Sequence, residues 1–246
     1  MPAAPPPITT RGVLITRPEP GLSETASAVA ALGWEPVLAP ALHITPCQGG
    51  VLPRQVAALL LTSGQAVAMA AESVPPFIPV FAVGDRTAQK AREAGFATVH
   101  SARGNAQALE RLLLRHCAPM QGSLLLYSGM GQGMELAASL RTHGFRVVRR
   151  VAYRAAPVEV LPAFVDHALR AGQIAAILFF SAQSAQSWLK AACPAGMSAH
   201  VRRLRAVVIS NAVSKSLGQA GWQGPLSLAA TPDAPAMLAA LGAWSA

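Results

Sequence analysis

Two stretches of the chain set hydroxyl and amide side chains directly behind a short apolar run. Ala58-Leu59-Leu60-Leu61 stops at Thr62-Ser63-Gly64-Gln65, and Ala176-Ile177-Leu178-Phe179-Phe180 stops at Ser181-Ala182-Gln183-Ser184. A helix-compatible run follows each, and Ser63 matches Ser181 as Gln65 matches Gln183. In parallel α/β sheets, ligands collect at the carboxyl ends of strands, where helices begin. The unpaired amides of a helix N-terminus and the positive end of its macrodipole favour an anion there. These turns are therefore suited to holding an anionic ligand through neutral donors. The same hydroxyls are also suited to capping the helix that follows, and the sequence leaves both uses open.

Other constellations carry less. The six histidines show no metal-ligand spacing. Cys47, Cys117 and Cys193 lie far apart, are odd in number and form no C-x-x-C, which excludes a zinc knuckle or disulfide framework and suits a reducing compartment. Gly129-Met130-Gly131-Gln132-Gly133 follows an apolar run and invites a nucleotide reading. It lacks the G-x-G-x-x-G spacing, no well-placed acid follows about 20 residues on, and no P-loop Lys-Ser/Thr is present.

The elements that must position these residues alternate. Strand-like runs fall at 12–16, 34–38, 41–45, 58–61, 80–83, 98–100, 123–127, 146–154, 175–180, 204–209 and 226–229. Helix-compatible runs lie between them, with Ser23 as cap of the first, a short helix at 52–57, and Asn105 capping 106–116. Gly33, Gly95, Gly144 and Gly221 stand where helices should stop. Alternation of this kind predicts an α/β fold with parallel sheets and crossover helices. At 52% hydrophobic and 13% charged, the chain has the apolar material to cover such sheets on both faces.

The pattern also repeats. Leu14-Ile15-Thr16-Arg17 through Gly33-Trp34 matches Leu125-Leu126-Tyr127-Ser128 through Gly144-Phe145, and the run ending Glu93-Ala94-Gly95-Phe96 matches that ending Gln219-Ala220-Gly221-Trp222. A repeat this long is a half-domain rather than a solenoid unit. Two similar α/β domains facing each other, with a ligand cleft between them, are the expectation.

The chain has 246 residues, a net charge of +9 and a pI near 10.7. All but Lys90, Lys190 and Lys215 of its 20 basic residues are arginines. Few aromatics interleave with the short basic clusters, which argues against a nucleic-acid surface. Residues 1–11 are Pro-rich and read as a disordered tail without a signal-peptide core. No apolar run approaches the ~20 residues of a membrane span, so a cytoplasmic protein away from membranes is expected.

In this order of motifs the sequence resembles the uroporphyrinogen-III synthase family over about 12–241. Val13-Leu14-Ile15-Thr16-Arg17-Pro18 looks like the family's first strand and loop. Leu61-Thr62-Ser63-Gly64-Gln65-Ala66-Val67 is similar to its Phe-Thr-Ser-x-x-Ala-Val motif, and Ala82-Val83-Gly84-Asp85-Arg86-Thr87-Ala88 to its Val-Gly-x-x-Thr-Ala motif. Val151-Ala152-Tyr153-Arg154 looks like the family's Val-Tyr-x-Thr stretch, whose tyrosine is the family's best candidate for a catalytic side chain.

The resemblance implies two α/β domains joined by a two-stranded extended connector: domain 1 from 12–36 with 158–246, domain 2 from 47–146, and connectors at 37–46 and 147–157. It implies a lyase that dehydrates and cyclises hydroxymethylbilane, a linear tetrapyrrole rich in carboxylates. The last pyrrole is inverted through a spiro intermediate to give uroporphyrinogen III, without cofactor or metal. Tyr153 becomes the catalytic candidate. Arg17, Thr62, Ser63, Gly84, Thr87, Ser128, Gly129, Ser181, Gln183, Ser210 and Asn211 become the substrate-binding candidates. A monomer taking its substrate from the preceding enzyme of the pathway is expected. The chain departs from the family where Ser128-Gly129 replaces Arg-Gly, where Phe180 replaces a common Thr, and where Ser210-Asn211-Ala212-Val213-Ser214 replaces Gly-Pro-Thr-Thr-Ala. An inactive two-lobed family member that binds an anionic small molecule is the alternative.

Overall fold

A computed structural model describes residues 11–19, 21–48, 50–192 and 201–245. The Pro-rich tail and Cys193 lie outside the described residues. The chain opens with strand β1 (Gly12–Ile15), helix α1 (Gly21–Ala31), β2 (Glu35–Leu38) and β3 (Leu42–Pro46). It continues through β4 (Val56–Leu61), a single 3-10 turn at Gly64–Ala66, α2 (Val67–Ser73), β5 (Val80–Ala82), α3 (Asp85–Glu93), β6 (Val99–Ser101) and α4 (Ala106–His116). Then come β7 (Ser123–Gly129), α5 (Met134–Thr142), β8 (Arg146–Pro157) and α6 (Ala163–Arg170). The last third holds β9 (Ile174–Phe179), α7 (Ala182–Ala192), β10 (Arg205–Val208), α8 (Asn211–Gln219), β11 (Leu226–Leu228) and α9 (Ala234–Leu241).

Contacts divide the chain into two units, one built from the chain up to His43 and from Ala156 onward, the other from Ile44–Ala155. The first unit carries a five-stranded sheet in the order β11-β10-β9-β1-β2, with every neighbouring pair parallel. The second sheet has the order β3-β8-β7-β4-β5-β6, parallel from β8 to β6. The segments expected to act as connectors are thus paired structure. Val37 and Leu38 complete β2, while β3 and β8 are hydrogen-bonded neighbours at the edge of the second sheet.

The strands read as continuous apolar runs because both faces of each sheet are covered. In β1, Leu14 enters one core with Ile177, Phe179 and Trp188, while Val13 and Ile15 enter the opposite core with Leu178, Val207 and Met237. In β4, Leu59 and Leu61 pack with Leu125 and Tyr127 on one face, and Ala58 and Leu60 with Leu124 and Leu126 on the other. Successive side chains point to opposite faces of a strand, so an uninterrupted apolar stretch is what a doubly covered parallel sheet requires. Gly95 and Gly221, matched in the duplication, both follow helices with φ of +95° and +76°, a conformation that glycine adopts without a Cβ penalty.

Two local expectations are corrected. Residues 52–55 form no helix, and Val56 already belongs to β4. Pro53 lacks an N–H, and the apolar run extends further upstream than the Ala58 start suggests. Helix α1 begins at Gly21 rather than after Ser23. Glu19 takes the capping role, accepting from the Ser23 backbone N–H at 3.3 Å and from the Ser23 hydroxyl.

Among the described residues no helix is long and apolar enough to cross a membrane. Among the same residues no group of three or more His, Cys, Asp or Glu could hold a metal ion, and Cys47 and Cys117 are free thiols.

Candidate functional site

In the second unit, the carboxyl ends of β7, β4 and β5 lie side by side. They bring together Ser128 and Gly129, Thr62 and Ser63, and Gly84 with Thr87, the residues singled out in the sequence. Thr62 is half-buried, its hydroxyl 3.5 Å from the Tyr127 carbonyl. Ser63 is extended (φ −156°, ψ 145°) and its Oγ accepts from the Gln65 N–H at 3.2 Å, so it caps the 3-10 turn. Gly84 is the extended N-cap of α3, and a Cβ there would meet no atom within 4 Å. Thr87 is buried in the first turn of the same helix.

The glycine-rich loop after β7 is the most constrained part of this edge. Ser128 is fully buried, and its Oγ donates to the Gln132 carbonyl at 3.0 Å. Arg149 Nη1 donates to the same carbonyl at 3.0 Å. The Gln132 N–H donates to the Gly129 carbonyl at 3.0 Å. Gly131 and Gly133 have φ of +75° and +74°, which lets the chain double back within five residues. A Cβ on Gly133 would also lie 2.9 Å from Ser128 Oγ. Ser128 therefore shapes the loop, and its hydroxyl is not turned outward to a ligand.

Tyr153, on β8, pairs in register with Gly129. Its ring packs in the core with Tyr127 and Ala152, it is 6% exposed, and its Oη donates to Gln132 Oε1 at 3.4 Å. The Met130 N–H donates to the Tyr153 carbonyl at 2.9 Å. Gln132 in turn lines a cleft of about 370 Å³ with Thr62, Ala106, Gly131, Gly133 and Met134. Sequence reading does not single out Gln132 or Arg149. The signals were the glycine spacing at 129, 131 and 133 and the Arg149-Arg150 pair, neither of which fits a nucleotide or nucleic-acid motif.

In the first unit the carboxyl ends of β10, β9 and β1 are likewise adjacent, which brings together Ser210 and Asn211, Ser181 and Gln183, and Arg17. Ser181 caps α7: its Oγ accepts from the Ser184 N–H at 3.0 Å and donates to Ser184 Oγ at 2.9 Å. Gln183 and Asn211 are exposed. Ser210 is the extended N-cap of α8 (φ −159°, ψ 162°), yet its side chain makes no capping bond. Arg17 lies with its guanidinium 4.3 Å from the Phe180 ring centroid and donates to Thr25 Oγ1 at 3.2 Å. The aromatic ring that replaces a common Thr thus serves as a platform for this arginine.

Two doubly covered parallel sheets, each ending in hydroxyl-bearing strand-to-helix turns, define a two-domain α/β protein. The family model described as uroporphyrinogen-III synthase HemD matches residues 23–239, and the chain belongs to the uroporphyrinogen-III synthase family. Its function is that of a lyase of porphyrin and heme biosynthesis, closing a tetrapyrrole to uroporphyrinogen III. The fold is similar to that of the uroporphyrinogen-III synthetase from Helicobacter pylori, at 18% identity and a TM-score of 0.61, covering 93% of this chain and 97% of that one. It is also similar to a mutant uroporphyrinogen III synthase from the extremely thermophilic bacterium Thermus thermophilus, at 19% identity and a TM-score of 0.53, covering 94% and 96%. No curated protein sequence matches the chain significantly.

Proposed function

We propose that Tyr153 is the catalytic side chain of the synthase reaction and that the strand-end groups of each unit hold the substrate's carboxylates. The observation that carries this reading is the hydrogen bond from Tyr153 Oη to Gln132, a residue that lines the cleft together with Thr62. Tyr153 is not itself a lining residue, but a phenol bonded to a residue of the cleft wall can serve as proton donor to a departing hydroxyl. Proton donation to a poor leaving group is worth roughly 10²–10⁴ in rate.

In the step assigned to Tyr153, its proton passes to the hydroxymethyl oxygen of hydroxymethylbilane. The C–O bond breaks, the electron pair leaves with the oxygen as water, and the pyrrole nitrogen lone pair supports the resulting cation. The terminal pyrrole carbon attacks, the spiro intermediate forms and reopens, and the ring closes with that pyrrole inverted. The proton released as the ring regains aromaticity returns to the phenolate, so the net reaction loses one water. The chain's own contribution is to fold a flexible substrate so that its ends meet and to keep water from the cation.

Thr62, the Gly84 turn and Thr87 in one unit, and Ser210, Asn211, Gln183 and Arg17 in the other, supply donors for carboxylates. Ser210 is the best placed of the hydroxyls because no cap bond occupies it. Ser63 and Ser181 contribute mainly by holding their helices. The protein works as a cytoplasmic monomer, receiving substrate from the preceding enzyme of the pathway.

Tyr153→Phe tests the assignment. Turnover of hydroxymethylbilane should fall at least about tenfold while substrate affinity stays nearly constant, because the lost hydroxyl acts in the transition state. Unchanged turnover would remove Tyr153 from the mechanism.

A further inference from the structure

We propose that Gln132 is the positioning residue that sets where the Tyr153 phenolic proton points; this rests on the catalytic reading of Tyr153. The Gln132 backbone is held at both polar atoms. Its N–H donates to Gly129 and its carbonyl accepts from Ser128 Oγ and Arg149 Nη1, each at 3.0 Å. Its Cα is thereby anchored within the five-residue loop that also cradles the tyrosine, since the Met130 N–H donates to the Tyr153 carbonyl at 2.9 Å. Only the Gln132 side chain is left to move, and its carboxamide faces Tyr153 Oη at 3.4 Å.

The carboxamide has two ends of nearly equal shape and opposite polarity. With Oε1 toward the phenol, the tyrosine proton is held on Gln132 and is withheld from solvent. Turning the carboxamide over places Nε2–H against the phenol oxygen. The glutamine then donates, and the phenolic proton is released from its bond to Gln132. In that orientation the new donor also stabilises the phenolate formed once the proton has moved to the departing hydroxyl. The buried Ser128 and the arginine at 149 take on a purpose in this arrangement. They hold the backbone that carries the glutamine, and they explain why a serine is acceptable where the family often has arginine before Gly129.

The test uses the full chain with four variants, Gln132→Leu, Gln132→Glu, Tyr153→Phe and Gln132→Leu with Tyr153→Phe, and reads kcat, KM and the pH profile for type III product. Gln132→Leu should lower kcat about tenfold with KM nearly constant, as expected when a reacting group is misaimed rather than substrate lost. The double variant should be no slower than Tyr153→Phe alone. Gln132→Glu should be impaired at neutral pH, where the carboxylate holds the phenolic proton, and recover as pH falls and the carboxyl is protonated. A merely structural role would not produce that pH dependence, and the near-isosteric glutamate carries the test if the leucine variant does not fold.

Wild-type kcat in Gln132→Leu alongside an impaired Tyr153→Phe would overturn the positioning role. So would losses that simply add in the double variant. Wild-type kcat in Tyr153→Phe would instead overturn the catalytic reading beneath it.

Discussion

The Tyr153 ring occupies the space that any side chain at position 129 would need. A Cβ on Gly129 would lie 2.8 Å from Tyr153 Cζ and 3.0 Å from its Oη, and the two residues are cross-strand partners on β7 and β8. The glycine is therefore required by its neighbour rather than by its own backbone angles. Gly129→Ala should push the ring away from Gln132 and lower turnover about tenfold, about 1.4 kcal/mol in the barrier. Steady-state kinetics beside Tyr153→Phe would check this, and a variant that turns over like the wild type would show that the ring has room to yield.

The hydroxyls at the strand ends divide by what they are bonded to. Ser63 caps a turn through the Gln65 N–H, whereas Ser210 makes no capping bond with its side chain. Ser63→Ala should lower stability by about 1 kcal/mol, the usual loss for a serine cap. Ser210→Ala should leave thermal stability unchanged and weaken substrate binding by about 1 kcal/mol, one neutral hydrogen bond. Melting curves paired with substrate titrations separate the two, and a reversed pattern would reassign both residues.

His100 lies on β6, stacked 4.9 Å from Phe81 and 5.0 Å from the His116 ring. Its burial, followed by the nearby His116 and Arg92, lowers its pKa from 6.5. The unfolded chain therefore takes up this proton first as pH falls, so stability declines from about pH 6.5 downward until the folded histidine also titrates. Melting temperatures measured from about pH 7.5 to 5 should fall for the wild type and fall less steeply for His100→Gln. Equal slopes would mean that His100 does not drive the decline.

Much of the fold is legible in the residues because doubly covered strands have no polar face to confuse the pattern. Leu59, Leu60 and Leu61 read as one apolar run although they serve two cores. The 52–57 stretch misleads because a short segment with Leu52 and Val56 satisfies helix and strand periods alike. The strand-end residues were visible by type, but their commitments were not. Whether a serine at a helix start faces a ligand or its own helix depends on φ, ψ and on a few tenths of an ångström. Ser63 and Ser181 turned inward as caps, and Ser128 was drawn into the Gln132 loop. Gln132 has only the glycine spacing around it as a local signature, since its side-chain partner Tyr153 and the Arg149 that bonds its carbonyl are distant in sequence, on β8.

The most direct measurement is the isomer composition of the product. Freshly made hydroxymethylbilane supplied to the purified protein, then oxidised and separated, distinguishes enzymatic closure from the spontaneous one, which gives the type I ring. A dominant type III product is expected, with the Ser210 to Ser214 turn then an accepted variation of the family site. Type I alone would contradict it, since the fold would then be present without the inversion that defines the reaction.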